Sequence, residues 1–300
     1  MTLALRPKAR DKTAMNSVTR RRSMLCLPAS NAKALAKLAI LECDATIYDL
    51  EDAVAPNMKA ASRDALIAHF AAGAKAGVEH VIRVNAASSG HLEADLEAVA
   101  ACRPDAVLLP KVESPADLDD LARRLDALKL QDAALMAMIE TPKGILHAAG
   151  IAQASTPRLK AFVVGLNDLR KETRVPRSPD RQLLHPWLMQ VVLAARAYGI
   201  SPIDSVSNDF RDLAAFDAEC VEGRSMGFDG KMLIHPAQID AANLRFGPSS
   251  EELDEARAIV AAFARPEAQG LGAININGTM VERLHLAEAE KRLAEARLPD

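Results

Sequence analysis

Eight short apolar segments alternate with helical patterns between residues 20 and 240, and this alternation restricts the fold more than any other feature of the chain. Each segment is a continuous apolar run, which is typical of parallel strands covered on both faces. The predicted strands are Ser23–Ala29, Ala45–Leu50, His80–Val84, Ala106–Leu109, Ala134–Ile139, Leu159–Leu166, Pro202–Val206 and Gly230–Ile234. Eight successive strand–helix units favour a closed (β/α)8 barrel, the TIM-barrel fold.

A doubly wound open sheet is the alternative, but neither GxGxxG nor GxxxxGK[ST] occurs, so the usual nucleotide-binding reason for an open sheet is missing. Residues 1–19 lack an apolar core, which predicts a disordered extension rather than a secretory signal. Residues 20–240 are predicted to form the barrel. Residues 241–300 are predicted to form a C-terminal helical extension or lid, which closes over its own barrel or that of a neighbouring subunit.

Composition and charge argue against several classes of function. The net charge is −3, and no long cationic run occurs beyond the N-terminus, which argues against nucleic acid as a partner. No apolar run reaches the roughly 18 residues that span a bilayer, so no membrane partner is expected. The four cysteines, Cys26, Cys43, Cys102 and Cys220, form no CxxC pair. Buried thiols in a reducing compartment explain them best, and we expect a cytoplasmic protein.

Polar residues follow the predicted strands at their C-terminal ends, which form the catalytic face of a barrel of this kind. They are Asp49, Glu51, Asp52, Arg83, Asn85, Lys111, Glu113, Glu140, Asn167, Asp168, Asp204 and His235. Any one of them has an ordinary explanation, such as a helix cap or a neutralised strand end. Like charges gathered at one mouth, however, cost stability unless a cation or a substrate offsets them.

Glu140 and Asp168 end successive strands, and together they predict a site for one hard divalent cation, Mg²⁺ or alternatively Mn²⁺. No cysteine is near, and His235 is the only histidine on this rim, so zinc is less favoured. Arg83 offers a planar fork for a substrate carboxylate or a developing enolate oxygen. Lys111 is the one candidate for a Schiff-base lysine, but its surroundings are not apolar. A metal-assisted carbon–carbon reaction is therefore favoured over an imine mechanism.

Longer motifs occur in a fixed order along the chain. They are RRSMLCLPASN at 21–31, YDLEDAVAPNMKAASR at 48–63, VIRVN at 81–85, LLPKVES at 108–114, MIETPKGI at 138–145, VGLNDL at 164–169, GFDGKMLIHPAQI at 227–239 and GLGAININGTMVE at 270–282. In these motifs the chain resembles the citrate lyase beta subunit family of the HpcH/HpaI aldolase superfamily. Citramalyl-CoA lyase and malyl-CoA lyase are members of that family.

The resemblance implies a (β/α)8 barrel that assembles as a trimer or hexamer and binds Mg²⁺ on Glu140 and Asp168. It implies that Arg83 contacts the substrate and helps to stabilise the charge that develops on cleavage, and that Glu140, Asn167 and Asp168 also bind the substrate. The implied reaction is a reversible Claisen-type cleavage of a 3-hydroxyacyl thioester, such as citramalyl-CoA or malyl-CoA. The products are an acetyl thioester and a 2-oxo acid.

Supporting roles also follow from the resemblance. Glu51 and Asp52 are expected to order metal-bound waters near the reacting atoms. Asn31 and the backbone of Leu233 and Ile234 are expected to lie against the acyl-CoA.

One position departs from the family pattern. The family carries an Asp at the end of its C-terminal motif, where it is a proposed acid/base residue that reaches in from a neighbouring subunit. This chain has Glu282 there, one methylene longer. Because proton transfer needs its partner within about 3 Å, the change bears on rate or on substrate choice.

Several functions fit these residues. The first is a stand-alone acyl-CoA lyase, and the second is the beta subunit of a citrate lyase complex that acts on an acyl-carrier-protein thioester. A third is a malyl-CoA thioesterase, in which the same site activates a water. A thioester-binding subunit without catalysis is the non-enzymatic alternative, and it is less favoured because Glu140, Asp168 and Arg83 are all present.

Overall fold

The computed structural model describes residues 19–154, 157–178 and 180–296. The prediction of a disordered N-terminal extension falls on residues that, up to position 18, lie outside this described part.

The chain forms two compact units, residues 21–249 and a C-terminal unit that begins at Ser250. The sequence placed the end of the barrel at residue 240, but the helix Ile239–Phe246 belongs to the first unit. Its side chains Ile239 and Ala242 are buried in the same core as the barrel strands, so it is the helix of the eighth strand–helix unit.

Eight parallel strands close into a barrel in sequence order, and the first strand pairs with both the second and the eighth. The strands are β1 Ser23–Pro28, β2 Ala45–Asp49, β3 Glu79–Arg83, β4 Ala106–Leu109, β5 Ala134–Ile139, β6 Leu159–Val164, β7 Ser201–Asp204 and β8 Gly230–Leu233. The predicted (β/α)8 fold is confirmed.

Helices follow the strands. In this unit they are α1 Ala32–Lys37, α2 Lys59–Gly73, α3 Leu92–Cys102, α4 Pro115–Ala127, α5 Pro142–Ala154, α6 Leu166–Thr173, α7 His185–Ala197, α8 Leu213–Met226 and α9 Ile239–Phe246. The sixth strand was predicted to run to Leu166, but it ends at Val164 and Leu166 opens α6. None of the helices within the described residues is both long and apolar enough to cross a bilayer.

Strand residues alternate between two apolar environments, which explains why the strands read as continuous apolar runs. Met24, Ile47 and Val81 belong to a cluster inside the barrel, whereas Leu25 and Tyr48 pack with the surrounding helices. Burying a side chain of this size contributes about 1.5–3 kcal/mol relative to leaving it exposed. The two clusters hold the eight strands of the closed barrel together. All the C-terminal strand ends therefore lie at the same face of the barrel.

Asp204, at the C-terminal end of β7, is fully buried between Lys231 Nζ and Arg181 Nη1, which each donate a hydrogen bond of 2.8 Å. Burial alone would raise the pKa of Asp204, but the two cations hold it below its ordinary value. We predict that Asp204→Asn lowers the free energy of unfolding by about 2 kcal/mol. The loss stays moderate because Lys231 keeps a second carboxylate, Glu219, at 2.6 Å.

The effect of this variant depends on pH with a definite sign. A carboxylate whose pKa is depressed in the folded protein adds stability above its unfolded pKa of about 3.9 and loses it as the pH falls through the folded pKa. The difference between the wild type and Asp204→Asn is expected to be constant near neutral pH and to shrink below about pH 4. Urea unfolding of the wild type and of Asp204→Asn, near neutral pH and below about pH 4, measures this difference in the free energy of unfolding. The same difference at both pH values would contradict the prediction.

The C-terminal unit contains α10 Ser250–Phe263, β9 Ala273–Ile276, β10 Thr279–Glu282 and α11 Arg283–Ala296. The extension predicted as helical for residues 241–300 also contains strands, because β9 and β10 form an antiparallel hairpin within the glycine-rich Gln269–Glu282. Its two-residue turn is Asn277-Gly278, with φ of 50° and 87°. Asn-Gly between two apolar runs is the strongest short hairpin signal in a sequence, so the chain carries a local signal for this element.

Candidate active site

The strand ends and loops at the C-terminal face of the barrel enclose a cavity of about 300 Å³. Cys26, Met138 and Met232 from the barrel interior form its apolar base. The predicted site residues that line the cavity are Asp52, Arg83, Glu140, Asn167, Asp168 and Ile234. The structure thus brings together side chains from five strand ends that are far apart in the sequence.

Glu140 directly follows β5 and is 1% exposed, although it faces the cavity. Its Oε1 accepts a hydrogen bond of 2.9 Å from the backbone N–H of Lys111. Burial, together with the negative charges of Glu51 and Asp168, raises the pKa of Glu140 to about 8. A buried carboxylate held beside two others is therefore a place where a cation lowers the energy of the folded protein.

Asp168 lies in the first turn of α6 and is half-buried. The start of this helix is fixed by Ser205, whose Oγ accepts a hydrogen bond of 3.0 Å from the N–H of Leu166. Asn167 is exposed at the rim and exchanges two hydrogen bonds, of 2.8 and 3.2 Å, with the amide of Asn208. The loop after β7 therefore fixes the start of α6 and orients Asn167 at the cavity.

Arg83, at the end of β3, is held by a bidentate ion pair with Asp49 at the end of β2. Arg83 Nε and Nη2 donate to the two carboxylate oxygens at 2.7 and 2.5 Å. Asp49 is fully buried and also accepts from the backbone N–H groups of Glu51 and Ala53. The third nitrogen, Arg83 Nη1, is directed towards Met138 Sδ at 3.4 Å, on the cavity side.

Glu51 is buried beside the cavity rather than on its lining. Lys111 Nζ donates a hydrogen bond to Glu51 Oε1. Glu51 Oε2 is buried and accepts no hydrogen bond within the described part of the chain, and Arg83 Nη1 lies 3.4 Å from it. The neighbouring Asp52 is exposed and lies 3.6 Å from Lys111 Nζ.

These residues fit a hard divalent cation. Glu140 and Asp168 share one cavity, Glu51 Oε2 has no hydrogen bond among the described residues, and burial together with the charges of Glu51 and Asp168 raises the pKa of Glu140. Among the described residues, no three His, Cys, Asp or Glu side chains are grouped to hold a metal by themselves. Mg²⁺ is commonly bound by only one or two carboxylates, with water and substrate oxygens completing the octahedron.

The remaining predicted site residues lie elsewhere. Leu233 is fully buried in β8, so only its backbone is available, whereas the next residue, Ile234, is 38% exposed at the cavity. Asn31 caps α1 through its side chain, which accepts from the N–H of Ala34. Glu282 ends β10 in the C-terminal unit, where it is half-buried. The roles assigned to these residues stay predictions.

Sequence reasoning placed Asp49 on the rim without a function, considered Lys111 only as a disfavoured Schiff-base lysine, and assigned no role to Gly165. An alanine Cβ at Gly165 would lie 2.3 Å from Glu140 Oε2, so this glycine lets Glu140 reach the cavity. The available signal for Asp49 was a charged residue at the end of an otherwise apolar strand. Lys111 has a positive φ of 54°, which is uncommon for a lysine, and no sequence pattern predicts it.

Similar proteins agree with this architecture. The sequence profile of the HpcH/HpaI aldolase/citrate lyase family matches residues 22–236. The chain is 43% identical over 275 residues to a (3S)-malyl-CoA thioesterase of Cereibacter sphaeroides, covering 92% of this chain and 94% of that protein. It is 35% identical over 286 residues to the citrate lyase subunit beta of Escherichia coli, covering 93% and 94%.

A solved structure resembles this chain over most of its length. It is the protein CitE of Mycobacterium tuberculosis in complex with magnesium, acetoacetate and coenzyme A. The two share 30% identity and a TM-score of 0.75, covering 92% of this chain and 98% of that one. The closed barrel, the acidic cavity and these similarities establish that the chain belongs to the HpcH/HpaI aldolase/citrate lyase family and is a carbon–carbon lyase.

Proposed function

We propose that the protein is an Mg²⁺-dependent lyase that cleaves a 3-hydroxyacyl-CoA, such as citramalyl-CoA or malyl-CoA, into acetyl-CoA and a 2-oxo acid. The observation that carries this proposal is the buried carboxylate of Glu140 facing the same cavity as Asp168 and Arg83. The relative solved with magnesium, acetoacetate and coenzyme A supports a site that takes a metal, an oxo acid and coenzyme A together.

In the proposed reaction the 3-hydroxyl group loses its proton, the bond between C2 and C3 of the acyl chain breaks, and the electron pair passes to the thioester as an enolate. Protonation of that enolate gives acetyl-CoA, and the hydroxyl-bearing carbon becomes the carbonyl of the 2-oxo acid. When bound, Mg²⁺ would polarise the oxygens of the oxo-acid portion. Mn²⁺, with similar oxygen-ligand chemistry, is the alternative cation.

The chain's own residues have distinct tasks in this proposal. Glu140 and Asp168 would hold the cation. Arg83, fixed by Asp49, would direct Nη1 at negative charge on the substrate, and a fixed donor of this kind avoids reorganisation during the reaction. The apolar side chains of Met138 and Met232 would exclude water from the carbon that becomes a carbanion equivalent.

A malyl-CoA thioesterase is the second candidate, and the 43% identity to a protein of that name favours it. Burial raises the pKa of the Cys26 thiol at the cavity base to about 12, so this cysteine stays protonated and is a poor nucleophile. A thioesterase built on this site would therefore use an activated water rather than a cysteine.

Turnover of citramalyl-CoA, malyl-CoA and citryl-CoA tests the proposal, with and without Mg²⁺ and with separate detection of 2-oxo acid, acetyl-CoA and free CoA. Metal-dependent release of 2-oxo acid and acetyl-CoA in equal amounts is expected from at least one substrate. Free CoA without 2-oxo acid would establish the thioesterase instead. Activity confined to an acyl-carrier-protein thioester would indicate the beta subunit of a citrate lyase complex.

We further propose a homotrimer or hexamer in which Glu282 of one subunit acts as the acid/base residue in the site of another. Glu282→Ala is expected to lower kcat by about 10²–10⁴-fold, the usual contribution of a general acid or base. Glu282→Asp is the matched conservative variant and should retain substantial activity.

Mixed oligomers test whether the residue acts between subunits. Glu282→Ala and Glu140→Gln subunits are each expected to be inactive alone. Unfolding and reassembling them together should restore activity, because some sites then combine an intact Glu140 with an intact Glu282. Normal turnover by Glu282→Ala would refute the role, and inactive mixtures of the correct oligomeric state would refute action between subunits.

A further inference from the structure

Lys111, just after β4, connects the cavity carboxylate Glu140 with the neighbouring buried carboxylate Glu51. Its backbone N–H donates to Glu140 Oε1 at 2.9 Å, and its ammonium donates to Glu51 Oε1. The ammonium also lies 3.6 Å from Asp52 Oδ2. One residue therefore binds the predicted metal ligand through its backbone and the adjacent carboxylate through its side chain.

The backbone of Lys111 is in the left-handed region, with φ of 54°. A residue with a side chain adopts this region at a cost of about 1–2 kcal/mol, and such residues persist where surrounding contacts fix them. In this conformation the N–H of Lys111 donates to Glu140 and its ammonium donates to Glu51. The left-handed backbone thus goes together with contacts to both carboxylates.

Two cations lie next to Glu51, one at each carboxylate oxygen. Lys111 binds Oε1, and Arg83 Nη1 faces Oε2 at 3.4 Å without a hydrogen bond. Glu51 is near enough to Glu140 for its charge to raise the pKa of that residue. Without the ammonium, neither carboxylate oxygen of Glu51 would accept a hydrogen bond among the described residues, and Glu51 would be a third carboxylate available to the same cation.

We propose that Lys111 is a positioning residue that keeps Glu51 from ligating the divalent cation held by Glu140 and Asp168. The cation then keeps two protein carboxylates and retains open positions for oxygens of the substrate. This inference rests on the proposed function, because it concerns the metal site used there. It assigns the Lys111 ammonium a task that neither substrate binding nor imine chemistry requires.

The inference makes a prediction opposite to that of a merely structural role. Removing the ammonium deletes one positive charge near the cation and frees Glu51 to become a ligand, so Mg²⁺ should bind about tenfold more tightly. Turnover should fall by about 100-fold, because the substrate loses a coordination position and the reacting geometry shifts. A purely structural lysine would instead weaken metal binding and turnover together.

The experiment measures Mg²⁺ binding by isothermal titration calorimetry on the full-length protein without substrate. Lys111→Met removes the charge and keeps an unbranched side chain. Lys111→Gly also removes it but favours the left-handed backbone, so the N–H bond to Glu140 is retained. Lys143→Met is the charge-matched control, since Lys143 is 70% exposed and pairs with Glu113 at 3.3 Å on the same rim.

Tighter Mg²⁺ binding with slower turnover in both Lys111 variants, and neither change in Lys143→Met, would support the inference. Unchanged or weaker Mg²⁺ binding in the folded Lys111→Gly protein would overturn it. A wild type that binds Mg²⁺ but forms no 2-oxo acid contradicts only the lyase proposal, because the binding comparison still applies. A wild type that binds no Mg²⁺ contradicts the metal site and both proposals.

Discussion

Replacing Gly165 by alanine is expected to abolish most of the activity while the barrel stays folded. An alanine Cβ at this position would lie 2.3 Å from Glu140 Oε2 and 2.5 Å from Glu140 Cβ. Side-chain rotation relieves the first contact but not the second, because Cβ is attached to the backbone of the residue that follows β5. Glu140 must therefore move as a whole.

We expect the substitution to displace Glu140 rather than to strain the backbone at position 165. Gly165 has φ of −113°, which alanine adopts without strain. A displacement of about 1 Å in a group that orients a reaction costs about 100-fold in rate, so kcat/KM of Gly165→Ala should fall by at least that factor. Mg²⁺ affinity should fall as well, since Glu140 is one of only two proposed carboxylate ligands.

Gly150→Ala is the matched control. Gly150 lies in α5 with nothing within 4 Å of the position that an alanine Cβ would occupy, so alanine should leave activity unchanged and add about 0.5–1 kcal/mol of stability. Steady-state kinetics, Mg²⁺ titration and urea unfolding of both variants complete the test. Wild-type kcat/KM in Gly165→Ala would show that Glu140 tolerates the displacement and is not the precisely placed ligand proposed here.

The barrel was predictable because its signal is local. Each strand is a short run that is apolar on both faces. One face packs into the cluster that contains Met24 and the other into the cluster that contains Leu25, so apolar and polar residues do not alternate along the strand. Closure then brings polar residues that follow the strands to one rim, so Glu140, Asp168 and Arg83 could be assigned to one cavity from the sequence alone.

What the sequence did not reveal depends on distances between segments. The pairing of Asp49 with Arg83 and the contact of Gly165 with Glu140 each join neighbouring strands that are separated by about 25–35 residues, and no local periodicity encodes them. The left-handed backbone of Lys111 is likewise fixed by its partners. The Asn277-Gly278 hairpin is different, since its turn chemistry is local and a prediction from sequence could have included it.

Replacing Asp49 by asparagine is expected to cost both stability and activity. Arg83 would lose a bidentate carboxylate in a buried setting, and among the described residues its remaining salt-bridge partner would be Glu51 Oε2, at 3.4 Å. Removing one partner of a buried ion pair typically costs about 3–5 kcal/mol, because the other charge is left uncompensated. In either orientation the asparagine NH2 group would also face other donors, namely an Arg83 nitrogen together with the backbone N–H of Glu51 or of Ala53.

Activity should fall further than stability alone explains. Asp49 orients the Arg83 fork and also anchors the N–H of Glu51, so the variant disturbs two cavity groups together. We expect kcat/KM to fall by about 100-fold under conditions where the variant is fully folded, chiefly through kcat if Arg83 acts on charge that develops during cleavage. Steady-state kinetics at low temperature, where the variant is folded, measure the loss of activity. Urea unfolding measures the loss of stability separately.

A second ion pair at the opposite end of the barrel provides the control. Asp44, which precedes β2, accepts two hydrogen bonds of 2.9 Å from the Arg22 guanidinium, and both side chains are largely buried. Because the N-terminal face of a barrel carries stability rather than catalysis, Asp44→Asn should lower the free energy of unfolding and leave kcat/KM of the folded protein unchanged. Equal losses of kcat/KM in Asp44→Asn and Asp49→Asn would mean that Asp49 supports the barrel and does not position Arg83 for the reaction.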